Sequence, residues 1–233
     1  MRTNVALMVA LTTGNPATAE DVFVRPKACT LIATIQSDTC EVDNIYTCLT
    51  GNKTHERTES FDSEGLASVS TFNLLTGLSR TEFVWDDGSF WLEETGDSDA
   101  DIIRKGSGKT SGAGKVRIFG MWRPITGTGE SIYSGEKIEL AGKLFHRIED
   151  FGTFQMPPPM PEVVSSGVRV YNEELNLSIS LEQKFDESVP ASASSKLMQL
   201  SLQGQSGFGD EQPRFGCETL SSLSMQSLQG ILA

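Results

Sequence analysis

Residues 176–185 read NLSISLEQKF, and strict alternation runs through them. Leu177, Ile179, Leu181 and Phe185 fall on one side of an extended chain; Ser178, Ser180, Glu182 and Lys184 fall on the other. Period two is the mark of a half-buried strand, because successive side chains of an extended backbone point to opposite faces. The same pattern recurs in KLMQLSLQ (196–203), where Met198, Leu200 and Leu202 oppose Gln199 and Ser201. These two stretches are expected to pair, with DESVPASAS (186–194) as their connection.

Outward from this pair the series continues with TLIATIQ (30–36), ASVSTFNLL (67–75), RTEFVW (80–85), SFWLEE (89–94) and KVRIFGMW (115–122). Helical periodicity is scarce. Asp87-Gly88, between RTEFVW and SFWLEE, supplies the positive φ that a tight hairpin requires. About a dozen candidate strands predict an all-β fold: an antiparallel meander forming a sandwich, barrel or half-barrel.

The chain opens MRTNVALMVALTTGNPATA, with Arg2 before an apolar run from Val5 to Leu11 and small residues at Ala17 and Ala19. This is the pattern of a secretory signal peptide over 1–19, with cleavage after Ala19. The apolar run is far short of the ~20 residues that cross a bilayer, so no transmembrane segment is expected. The remaining 20–233 reads as a single mostly β domain, periplasmic or secreted. MPPPMPE (156–162) is the one proline-rich break, either a subdomain boundary or a rigid crossover within one domain. Met156 and Met160 flank its prolines, and no cofactor is expected there or elsewhere.

Four cysteines, Cys29, Cys40, Cys48 and Cys217, read as two disulfides in an exported chain, since their spacing lacks the close pairs of a zinc site. The sequence leans towards Cys40–Cys48 as a local staple and Cys29–Cys217 as a clasp worth roughly 4–5 kcal/mol in the chain-entropy model. Net charge is -12, and loss of 1–19 removes Arg2 and no acid. A chain this acidic repels phosphate backbones and anionic lipid surfaces, so nucleic acid is excluded as a partner.

No motif supplies a catalytic set. EKIELAGKLFHRIED (136–150) reads as one alternating strand, with Ile138, Leu140, Gly142, Leu144, His146 and Ile148 on one face and Lys137, Glu139, Lys143, Arg147 and Glu149 on the other. His146 is then core-facing and tied to a backbone carbonyl. Asp150 shares its parity, roughly 13 Å away along the strand. His55 lies in THERTESF (54–61), polar enough for an exposed edge strand. RKGSGKTSGAG (104–114) has Ile103 where a phosphate-binding loop needs its first glycine, and reads as a flexible basic hairpin loop. Asp97, Asp99 and Asp101 are spaced like the start of a calcium loop and stand as weak calcium candidates, although Ile102 occupies the position where such a loop wants glycine.

Three functions remain. The first is a non-enzymatic binding or envelope-assembly protein with a protein partner. The second is a carrier of a lipid or other apolar small ligand, with Trp85, Trp91, Phe119 and Trp122 as ligand-facing aromatics. The third is a hydrolase using His146 or His55. The meander, with GVRVYNEELNLSISLEQKF (167–185) late in the chain, is loosely similar to the half-barrel lipoprotein carriers of bacterial envelopes. That resemblance implies an apolar ligand in a curved sheet, although the sequence lacks the amphipathic helices that serve such carriers as a lid.

Overall fold

The computed structural model describes residues 24–25, 27–50, 53–73, 78–83, 89–118, 121–158, 160–187 and 194–217. The expected leader and its cleavage point lie outside them, as do the Asp-Gly turn, Trp85, Phe119 and the C-terminal tail.

Twelve strands follow one another in chain order: β1 (Cys29–Ser37), β2 (Val42–Thr50), β3 (Lys53–Asp62), β4 (Gly65–Asn73), β5 (Leu78–Phe83) and β6 (Ser89–Gly96), then β7 (Ser107–Ile118), β8 (Met121–Leu140), β9 (Lys143–Gln155), β10 (Val163–Asn172), β11 (Leu177–Phe185) and β12 (Ser195–Leu202). Each pairs antiparallel with its sequence neighbour, and β12 returns to β1, so the meander closes into a barrel. It is a full barrel, not a half-barrel, and closure gives every strand a neighbour on both sides. Eight strands enclose a space that side chains can fill; twelve leave room beyond that. β9 and β10, on either side of the proline-rich segment, pair from Val163↔Phe154 to Tyr171↔His146.

Closure rests on two kinds of contact. β11 and β12 meet through only two residue pairs, Glu182↔Lys196 and Gln183↔Ser195. An apolar cluster supports the rest of the seam: Ala33, Ile45 and Leu202 from one side pack with Phe145, Val170, Leu177 and Ile179 from the other. A bulge makes this possible. Val168 pairs with Glu182 but Arg169 with Ser180, so Leu181 is the extra residue and β11 changes face there. Leu177 and Ile179 therefore share a face with Val170, while Phe185 passes to the face of Ser178 and Ser180. The unbroken alternation expected across 177–185 does not survive this bulge.

Three further expectations are corrected. The stretch 136–150 is not one strand: the chain reverses at Ala141 and Gly142, which both adopt positive φ (52° and 75°), and the two halves pair as a hairpin. Residues 107–118 form β7, fully paired with β8, so 107–114 are strand where a flexible loop was expected. A short helix, α1 (Asp99–Lys105), precedes it. Ser98 caps α1 by accepting from the Asp101 N–H, and Gly106 ends it in the left-handed region. β3 is no edge strand, since it pairs with both β2 and β4.

The polar face of β3 is buried from outside. Tyr46, Arg57 and Glu59 lie under the segment that precedes β1. Arg25 stacks 4.4 Å from the Tyr46 ring centroid and binds Glu59, which also accepts from Arg57 Nε at 2.8 Å. Burial pushes the Glu59 carboxyl up, but hydrogen bonds from Arg25 and Arg57 outweigh it and hold the group below its ordinary range.

The disulfides are Cys29–Cys48 and Cys40–Cys217, not the pairing that spacing suggested. Register decides the first, because β1 and β2 place Cys29 directly opposite Cys48. The second clamps the C-terminal segment onto β1 and β2, where Gly209 N donates to Thr34 Oγ1, Arg214 N to Gln36 Oε1, and Asn44 Nδ2 to the Asp210 carbonyl. Both bonds require an oxidising compartment.

Candidate binding site in the barrel lumen

The lumen holds a cavity of about 800 Å³, within the range of small-molecule sites. Its wall follows one face of successive strands. Glu56 on β3 stands beside its cross-strand partner Phe72 on β4. Leu92 and Glu94 come from β6, and Thr110 and Gly112 from β7. β8 supplies Gly127, Gly129 and Ser131; β9 supplies Asp150, Gly152 and Phe154. β10 and β11 complete the wall with Ser165, Arg169, Tyr171 and Ser178. Alternation then sends the other face of the same strands outward, with Lys109, Lys115, Glu130, Arg147 and Glu149.

Glycines thin one side of this wall. Gly112 pairs with Gly127, and Gly129 with Gly152. Neighbouring side chains occupy the space above them: a Cβ on Gly127 would come within 2.9 Å of the Phe154 ring, and one on Gly129 within 2.6 Å of Thr110 Oγ1. The glycines allow those neighbours to lie flat against the backbone and keep the lumen open.

Among the described residues Arg169 is the cation on the lining, and it is already engaged. Its Nε donates to Asp150 Oδ2 at 2.7 Å, Nη2 to Ser131 Oγ at 3.1 Å, and Nη1 to Asp99 at the start of α1. Ser131 in turn donates to Asp150 Oδ1 at 2.6 Å. Helix α1 sits over this end, with Ile102 packed against Ile148 and Tyr171. Asp97, Ser98 and Asp99 thereby join the lining.

Two carboxyls stand apart from this network. Burial, reinforced by the nearby Asp99 charge, pushes Glu56 up to about 7. Burial also raises Glu94, against the pull of Arg169; its side chain touches the water of the lumen while protein surrounds it at longer range. Asp150 is raised by burial as well, with Arg169 and Ser131 opposing.

The residues singled out in the sequence are distributed differently. Trp91 lies on the face of β6 opposite Leu92 and Glu94, and Trp122 on the face of β8 opposite Gly127 and Gly129, half exposed. Among the described residues, Phe72, Phe154 and Tyr171 are the aromatics on the lumen-facing side of their strands, and Phe151 borders the cavity from the opposite face of β9. The three aspartates are divided among three cations: Asp97 with Lys105, Asp99 with Arg169, Asp101 with Arg104. His146 contacts Tyr133, with Nδ1 2.8 Å from the hydroxyl, where a backbone carbonyl was expected. Desolvation and then Lys137 lower its pKa, and Glu173 lies 3.8 Å from Nε2. His55 pairs across to Cys48, on the face of β3 opposite to Glu56 and the lumen.

Sequence reading passed over Glu56, Glu94 and Arg169, and weighed Asp150 only as a partner for His146. Their one visible signal is charge interleaved with apolar residues, as in Val168-Arg169-Val170, and period two cannot say which face turns inward. No family model, curated protein or solved structure matches this chain.

Proposed function

We propose that this is a non-enzymatic binding protein of an oxidising compartment that holds a small polar ligand inside its barrel. The observation that carries the reading is the closed barrel around a cavity of about 800 Å³ whose wall mixes carboxyls, hydroxyls, an arginine and aromatic rings. Small-molecule sites combine apolar walls with a few convergent polar groups in this way. An apolar cargo fits less well, because it would strip water from Glu56, Glu94 and Asp150 and offer nothing in return. The outward charges Lys109, Lys115, Glu130, Arg147 and Glu149 favour a barrel in water, since a lipid-facing Lys or Arg costs about 2–4 kcal/mol at the bilayer midplane.

The test is native mass spectrometry of protein isolated from its own host, compared with the denatured mass. A reproducible additional mass that vanishes on denaturation, and is absent from Ser178→Phe, is the expected result. A bare polypeptide mass from freshly isolated wild type would count against the lumen as a resident site. It would turn attention to protein partners on the outer face.

A further inference from the structure

Resting on the lumen as a binding site, we infer that its ligand is a neutral, hydroxyl-rich small molecule of the sugar or polyol class. Arg169 is the group an anion would seek, yet Asp99, Asp150 and Ser131 already share its donors. An anionic ligand would have to displace two carboxylates and then face Glu56 and Glu94. Both changes bury unpaired negative charge, which is strongly unfavourable.

An organic cation answers the carboxyls only. Thr110, Ser165 and Ser178 also line the cavity, and each hydroxyl has acceptor capacity that an ammonium's donors satisfy at one point and its methylenes leave unmet elsewhere. A carboxyl raised by burial to about 7, as Glu56 is, carries its proton in about half of the molecules at pH 7 and in that form is both donor and acceptor. A wall of groups with this double capacity is complementary to a ligand of the same kind. Hydroxyls spaced around a carbon ring or chain are such a ligand, and their C–H faces suit the Phe72 and Phe154 rings.

Ser178 and Ser165 lie on strands β11 and β10, away from the Arg169 network, so bulk placed there enters the cavity without breaking an ion pair. The test uses the disulfide-intact full chain, freed of resident ligand by unfolding and refolding, and titrates it calorimetrically at pH 7 with maltose, sorbitol and myo-inositol. Spermidine and laurate serve as the cationic and the apolar anionic probe. At least one of the three polyols should bind saturably. Spermidine should bind at least tenfold more weakly than that polyol, and laurate should not bind. Ser178→Phe should weaken the polyol at least tenfold with the circular dichroism of wild type, and Ser165→Phe replaces it if the first variant fails to fold. Glu56→Gln, which keeps both a donor and an acceptor, should cost less than tenfold. Tight spermidine binding abolished by Glu56→Gln, or binding of laurate, would overturn the polyol class and leave the lumen site standing. Failure of all three polyols would overturn the inference too, while the native mass comparison reports separately on whether the lumen binds anything.

Discussion

Removing the two disulfides one at a time should expose very different contributions. Cys29–Cys48 closes a separation of 19 residues and Cys40–Cys217 one of 177. In the chain-entropy model the restraint on the unfolded chain grows with the logarithm of the loop, giving about 3 kcal/mol for the first and about 5 kcal/mol for the second. The long clasp has an escape route that the short one lacks. The segment after β12 is held on β1 and β2 by a few hydrogen bonds, including those of Gly209, Arg214 and Asn44, and could peel away once Cys217 is free. Peeling would cap the loss at the docking energy of that segment and would lower the urea m-value, because the native state would already expose part of its surface. The experiment is urea unfolding of Cys29→Ser/Cys48→Ser and of Cys40→Ser/Cys217→Ser at pH 7. The expected result is a loss larger by about 2 kcal/mol for the second pair with m unchanged. Peptide mapping of the unreduced protein should recover Cys29 with Cys48. Recovery of Cys40 with Cys48, or a smaller loss from the long clasp with m unchanged, would refute the reasoning.

Three further outcomes follow from the buried charges and the glycine wall. Glu59→Ala should destabilise more than Arg25→Ala, since it removes the carboxylate that Arg25 and Arg57 both bind; Arg25→Ala, whose side chain is 41% exposed, should cost about 1 kcal/mol by the same urea assay. Because the Glu59 pKa is depressed on folding, its contribution is present above the unfolded value near 4.5 and fades as pH falls through the folded value, so Glu59→Gln should flatten the acid limb of the stability curve. Glu56 has the opposite sign: raised to about 7, it removes stability as pH rises from about 4.5 to 7, so Glu56→Gln should match wild type at pH 4 and exceed it by about 2–3 kcal/mol at pH 8. Glu41 is also pushed up to about 7, by burial and then Asp43 and Asp62, so the comparison with wild type isolates Glu56 where the wild-type slope does not. Gly129→Ala should destabilise by about 1–3 kcal/mol through its clash with Thr110 Oγ1, and Thr110→Ala in the same chain should recover most of it; equal losses with and without Thr110 would remove the glycine wall from the argument.

The strand content was legible because it rests on local alternation, and β1, β4, β6, β11 and β12 all lie where period two places them. What alternation could not supply was anything that depends on a second strand. The bulge at Leu181, the reversal at Ala141-Gly142 and the pairing of Cys29 with Cys48 are facts of register. Polar β3 looked like an edge because Arg57 and Glu59 are costly to bury alone. Their compensation is Arg25, more than thirty residues away from Glu59, which no local window contains. α1 did carry a local signal, Ser98 followed three residues later by Asp101, with Arg104 and Lys105 in its last turn. Seven residues are too few for periodicity to register.

The same limit explains why the lumen was misjudged. A sequence reader assigns the apolar face of each strand to the interior, which holds for a sandwich and for a barrel small enough to fill with side chains. With twelve strands the circumference outgrows its filling, and apolar packing concentrates where the hydrogen-bonded seam is thin, around Val170, Ile179 and Leu202. Elsewhere the inward face is free to be polar, and Glu56, Glu94, Asp150 and Arg169 occupy it. The bulge at Leu181 joins the two regimes in a single strand, with Ile179 facing the seam cluster and Ser178 facing the cavity. Deleting Leu181 would remove only the extra residue, leaving Ser180 opposite Arg169 and Glu182 opposite Val168, so Ile179 keeps the seam face and Ser178 the lumen face. The deletion variant should therefore fold with the seam cluster and the lumen wall both in place; loss of either, read by urea unfolding and by ligand titration, would mean that the local twist of the bulge holds them and not the pairing alone.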